Sequence, residues 1–153
     1  MTMLLEVPPV FYVLALMIGA GLFLWTDRWE VFLLAVYCFL IFTLTVLSRS
    51  PESSAHYNFH LFWSWRQWEQ QAGQILANVA VFVPIGVLAG MLWGWKSVLF
   101  AAGFSVLIEL TQLVSCRGFF EFDDMAGNTL GAAIGWALTA AFAKLKGRLA
   151  RRD

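Results

Sequence analysis

The chain has 153 residues, a formal net charge of zero, 60% hydrophobic residues and 13% charged residues. Soluble domains carry about 25% charged residues, so this composition excludes an ordinary soluble globular protein. It points instead to one all-α domain, a polytopic transmembrane bundle over residues 1–153. Zero net charge leaves no electrostatic footprint for nucleic acid.

A membrane-crossing helix needs about 20 apolar residues, within a range of roughly 17–25. Five stretches meet this, at residues 10–26, 31–48, 75–95, 98–115 and 128–145. Pro8 and Pro9 suit the start of the first. No Lys or Arg precedes it and no A-x-A site follows, so it reads as a span rather than a cleaved signal. Cys38 lies in the middle of the second span and Cys116 at the end of the fourth, too far apart for a disulfide.

Between the second and third spans, Ser50-Pro51 and the serines after it read as a turn. Leu61, Trp65 and Trp68 then have helical spacing, beside Arg66, Gln67, Glu69 and Gln70. Residues 57–72 therefore predict an amphipathic helix lying in the membrane interface. An aromatic loop packed on the bundle is the alternative. In the third span Pro84 predicts a kink, and Asn78 can hydrogen-bond across the bundle near its outer end.

Lys144, Lys146, Arg148, Arg151 and Arg152 follow the fifth span, which the positive-inside rule assigns to the cytoplasm. Five spans then place the N-terminus outside. With Arg28 and Lys96, seven basic residues lie inside, against Arg49, Arg66 and Arg117 outside. Trp25, Trp29, Trp93 and Trp95 flank the inner ends as an aromatic belt. The expected location is the cell (cytoplasmic) membrane, with the lipid bilayer as partner.

The residues that suggest chemistry run from Ser105 to Gly135. Ionisable residues inside spans are costly and usually face other helices or a wet cavity. Glu109 is such a residue. Ser105, Glu109 and Gln112 share one helical stripe at i, i+4, i+7. A short polar loop follows with Arg117, Glu121, Asp123 and Asp124, and Asn128 opens the next span. Beside Arg117 the three acids read as paired carboxylates for acid–base work, as a cation site or as a salt-bridged cap, and Asp123-Asp124 also complement the start of that helix. The outward-facing pocket is expected from Asn78, Ser105, Glu109, Gln112, Arg117, Asp123, Asp124 and Asn128. Gly127, Gly131 and Gly135 make two overlapping GxxxG steps, the signature of close helix packing. His56 and His60 stand at i, i+4 without a third ligand, and the acidic loop matches no metal spacing. No metal or cofactor is expected. No P-loop, G-x-G-x-x-G or Ser-His-Asp order is present.

These residues resemble the VanZ-like membrane family. Asn58-Phe59 and Phe62 are similar to an N-x-x-P-F element, with Leu61 in place of proline. Asn78, Phe82, Pro84 and Gly86 match N-x-x-x-F-x-P-x-G. Ser105, Glu109, Gln112, Arg117, Asp124, Asn128, Gly131 and Gly135 match the S-x-x-x-E-x-x-Q, R, D-x-x-x-N-x-x-G-x-x-x-G core. The first two spans agree only in hydrophobicity. The resemblance implies a cell-envelope protein associated with low-level antibiotic resistance, to the glycopeptide teicoplanin.

From the residues comes a further expectation: the pocket binds a lipid-linked cell-wall or polysaccharide precursor, with Arg117 on an anionic head group. Two other classes remain open. A membrane enzyme acting on a lipid or polyprenyl head group would use Glu109 or Asp124 as base. A proton-coupled carrier would use Glu109 as its proton site and would need to form a homodimer, since no internal repeat is visible.

Overall fold

A computed structural model describes residues 8–60 and 62–150. Leu61, the first residue of the expected helical stripe, and the tail charges Arg151 and Arg152 lie outside the described residues. Helix α1 (Pro9–Thr26) begins at the second proline, whose missing N–H is harmless in a first turn, and closes on Asp27 in the left-handed conformation. Helix α2 (Trp29–Phe42) runs on into a π-helical turn, Thr43–Leu47. A short strand β1 (His56–Asn58) and a single-turn helix α3 (Trp63–Arg66) lead into the long α4 (Trp68–Trp93). Helix α5 (Lys96–Ser115), strand β2 (Phe119–Glu121) and helix α6 (Phe122–Leu149) complete the chain.

Among the described residues, four helices are long and apolar enough to cross a membrane: α1, α2 with its π turn, α4 and α5. The fifth expected span, 128–145, lies within α6, which is not among those four. Glycine, Asn and Thr replace large apolar residues along α6 because its main partner is another helix. Its pairing with α4 is the most extensive between any two elements. A Cβ on Gly131 would collide with the Val79 carbonyl oxygen, and one on Gly135 with that of Val83. Gly86 of α4 abuts the Ala132 backbone in the same way. The two backbones touch, as small-residue packing in membranes allows. Around this seam lies a core of Phe82, Ile85, Ala89, Ala101, Ile108 and Ala132, closed by Leu34, Ile41 and Val46. Pro84 sits inside α4 and leaves the Ala80 carbonyl without its helical donor. One residue away, the Tyr37 hydroxyl of α2 donates to the Val81 carbonyl at 2.9 Å.

At the end of the bundle opposite the basic tail, two loops are joined. Strands β1 and β2 pair in parallel, with His56 opposite Phe119, Tyr57 opposite Phe120 and Asn58 opposite Glu121. The Glu52 N–H donates to the Cys116 carbonyl at 2.7 Å. The continuous interfacial helix expected over 57–72 is therefore not formed. Residues 57–58 belong to β1, α3 is four residues long, and α4 has begun by Trp68 rather than at 75. The reason is the competing partners: β2 takes the backbone of β1, and a carboxylate from α6 holds the start of α3. No break separates Trp68 from Ile75, so the polar first turns simply extend α4 beyond its apolar stretch.

Candidate functional site

The residues expected to form one pocket lie in two layers. The lower layer is buried in the bundle. Asn128 Nδ2 donates to Ser105 Oγ at 2.8 Å, linking α6 to α5. Glu109 Oε2 accepts the backbone N–H of Glu121 at 3.0 Å, so the intramembrane acid anchors β2. Gln112 Nε2 donates to the Thr45 carbonyl at 2.9 Å. That carbonyl belongs to the π turn, at a helix end where acceptors lack helical donors. All four of these side chains, Ser105, Glu109, Gln112 and Asn128, are buried.

The loops above this layer are pinned by two more of the expected residues. Asp123 accepts from the Phe62 N–H at 2.5 Å and from the Ser64 N–H at 2.8 Å, which fixes the start of α3. Phe62 adopts a left-handed conformation there, with φ of 64°. Arg117 turns away from the acids of its own loop. Its Nη1 donates to the carbonyls of Leu47 at 3.0 Å and Arg49 at 2.6 Å. The cation expected to meet an anionic head group is thus engaged on the end of α2.

The upper layer is an open cleft of about 540 Å³ lined by Arg49, Trp63, Gln71, Gln74, Ala77, Asn78, Phe119, Glu121 and Asp124. Of the residues expected in the pocket, Asn78 and Asp124 line it directly, and Glu121 of the polar loop lines it beside them. Gln74 Nε2 lies 3.3 Å from Glu121 Oε2, 3.2 Å from Asp124 Oδ1 and 3.3 Å from Asp124 Oδ2. Burial raises the Glu121 carboxyl above the usual carboxylate range, and the nearby charge of Asp124 adds to this. Asp124 is raised too, by burial, although the Gln74 amide and the Arg49 charge oppose the shift. The Asn78 and Trp63 side chains lie within electrostatic reach of Asp124 and Glu121 respectively. Yet Asn78 Nδ2 and Trp63 Nε1 are buried atoms that complete no hydrogen bond of ordinary geometry.

The cleft's cation is Arg49, not Arg117. Arg49 is exposed, and it forms no salt bridge among the described residues. Its guanidinium lies against Gly118, where an added Cβ would come within 2.6 Å of Arg49 Nη1. Gln71 and Gln74 were not expected either. One signal for them exists, because Gln71, Gln74 and Asn78 fall at i, i+3, i+7 on a single stripe of α4. His56 is in a strand, so its helical spacing to His60 does not hold. It meets the Glu52 carboxylate at 3.0 Å and stacks on Phe119 at 4.9 Å between ring centroids.

The VanZ/LLP1 family model matches residues 10–143, from the first turn of α1 almost to the end of α6. The chain belongs to the VanZ/LLP1 family. The match extends through the first two helices, in which the sequence motifs are absent, and so covers the frame as well as the polar core. No curated protein and no solved structure matches the chain.

Proposed function

We propose that this VanZ/LLP1 protein is a multi-pass protein of the cell membrane whose cleft faces outward and holds a lipid-linked envelope component. By analogy with the VanZ-like proteins it resembles, its phenotype is lowered susceptibility to teicoplanin-type glycopeptides. One observation carries the reading: Arg49, Gln74, Asn78, Glu121 and Asp124 converge on a cleft at the bundle end remote from Lys144, Lys146 and Arg148. The positive-inside rule assigns that basic end to the cytoplasm, which turns the cleft toward the envelope. Glu109 acts from below as a positioning residue, since its carboxylate holds the backbone that carries Glu121. Any chemistry on a bound head group would fall to Asp124, which lines the cleft and whose raised carboxyl titrates nearer neutrality.

The test is to obstruct the cleft without touching its hydrogen bonds. Ala77 lines the cleft and Ala77→Trp would fill part of it. Mass spectrometry of lipids co-purifying with the wild type should find a lipid-linked envelope species. Ala77→Trp, at normal abundance, should lose that species together with any tolerance to teicoplanin. Undiminished lipid retention and tolerance in Ala77→Trp would sink the proposal.

A further inference from the structure

The arrangement around Gln74 says what kind of group the cleft is built to take. Three carboxylate oxygens, one from Glu121 and two from Asp124, lie 3.2–3.3 Å from a single nitrogen, Gln74 Nε2. A side-chain amide has two N–H donors and no charge. Three acceptors therefore share two donors, and the neutral amide brings no positive charge to the two acids. Asn78 Nδ2 and Trp63 Nε1 lie within electrostatic reach of Asp124 and Glu121 but complete no hydrogen bond of ordinary geometry. Gln74 is itself exposed, long and flexible, so it can leave the position. On the same cleft, Arg49 is a cation with no salt bridge among the described residues.

We infer that the cleft seats a primary ammonium between Glu121 and Asp124, displacing Gln74 Nε2, on a ligand whose adjacent anionic group faces Arg49. This deepens the proposed function and rests on its reading of the cleft as a ligand site. A primary ammonium has three N–H donors and a positive charge, which matches the three oxygens in number and the two acids in sign. A hydroxyl brings one donor and no charge. A bare phosphate would meet two carboxylates against one guanidinium. A quaternary ammonium has charge but no N–H, so it leaves the oxygens without hydrogen bonds. An amide meets these oxygens with only the acceptor charged, whereas an ammonium charges the donor as well, which favours the exchange. The raised carboxyls of Glu121 and Asp124 agree with this, since the charge of a bound cation would oppose the raise that burial causes.

Two sources carry this chemistry: a lipid head group such as phosphoethanolamine, and a small soluble zwitterion. The full chain in detergent is titrated with phosphatidylethanolamine and phosphatidylcholine, read by native mass spectrometry. Soluble phosphoethanolamine and phosphocholine form the second arm, read by thermal shift. The primary amine should be preferred over its quaternary counterpart by at least about tenfold in affinity in one arm or both. Preference in the lipid arm alone assigns a lipid head group, and preference in the soluble arm alone a free zwitterion. Gln74→Lys supplies a tethered ammonium at the same place. It should raise the melting temperature and erase the amine preference, while Gln74→Ala, which removes only the competing amide, should keep it. Equal affinity for amine and quaternary ligands in both arms overturns the inference, as does an undiminished preference in Gln74→Lys. Retention of a lipid-linked envelope species with no amine preference overturns the ammonium seat and leaves the proposed function standing. Amine preference without any co-purifying lipid-linked species overturns the proposed function and leaves the seat.

Discussion

The α1–α2 hairpin and the α4–α6 pair pack by opposite means. Helix α1 rests mainly on α2 and buries only Ala15 and Gly19. Its Val13, Leu16, Met17 and Leu24 are all more than half exposed. In a bilayer such side chains meet lipid, which is as apolar as they are, so their exact size matters little. In the α4–α6 pair, backbone meets backbone at Gly86, Gly131 and Gly135, and nothing larger than hydrogen fits. The cleft residues Gln74, Asn78, Glu121 and Asp124 belong to this second region or to the strand that leads into it. A site held to hydrogen-bond tolerance stands on the part of the molecule that cannot be adjusted, and the part that can be adjusted carries none of it.

The strongest way to break this comparison is to put one substitution in each region. Gly131→Leu must separate α4 from α6, because its Cβ alone would strike the Val79 carbonyl. Folded abundance in membranes and detergent melting temperature should collapse. Gly21→Leu in α1, where nothing lies within 4 Å of the added Cβ, should change neither. Equal tolerance at both positions, measured on the same blot, would show the contrast to be empty.

Glu109→Ala comes next. It leaves the Glu121 N–H buried without its acceptor, at about 1–3 kcal/mol, and the loss should appear in thermal stability as well as in ligand retention. Glu109→Gln keeps an acceptor oxygen and should retain most of the stability. If Glu109→Gln loses function at full stability, the charge itself acts in the site and the anchoring role is insufficient.

The pH dependence should be smaller. Glu121 and Asp124 have folded-state carboxyls raised above their ordinary values. The folded protein therefore binds more protons than the unfolded chain as pH rises from the ordinary carboxylate range to the raised values. Stability should fall across that window and level off above it. Glu121→Gln should flatten part of the fall in a melting-temperature profile. A profile that rises through this window would contradict the burial of the pair.

Arg117→Ala should have a small effect on stability, about 1 kcal/mol, since it removes bonds to two carbonyls at an exposed site. Arg49→Ala should leave stability unchanged and weaken ligand retention. The reverse ranking would return the ligand-facing role to Arg117.

Much of this was readable from the chain. Long apolar runs mark α1, α2, α4 and α5, because a helix that must satisfy its backbone without water advertises itself by length. The glycine ladder marks the α4–α6 seam. Ser105, Glu109 and Gln112 share a stripe whatever they bind. Partners across loops were not readable. Arg117 lies near Glu121, Asp123 and Asp124 in sequence, and a basic residue among acids invites pairing. The turn after α5, with Cys116 left-handed, carries it instead to unfilled carbonyls at the end of α2. Asp123 and Asp124 are adjacent, yet one helical step of roughly 100° sends the first to α3 and the second to the cleft. The strand pairing of His56–Asn58 with Phe119–Glu121 left no periodic trace, since three residues are too few to show an alternation.

That pairing also sets an order of assembly. A ribosome releases the chain from its N-terminus, so His56–Asn58 emerges long before Phe119–Glu121, with both helices α4 and α5 still to be made. Until β2 arrives, the first loop has no strand to join, α3 lacks its aspartate and Glu109 lacks the N–H it will accept. A nascent chain stopped short of Phe119 would hold the four described helices apolar enough to enter the bilayer, yet lack the wall of the cleft that Phe119, Glu121 and Asp124 supply. The acidic wall of the cleft is thus completed last, with the parallel strand pair.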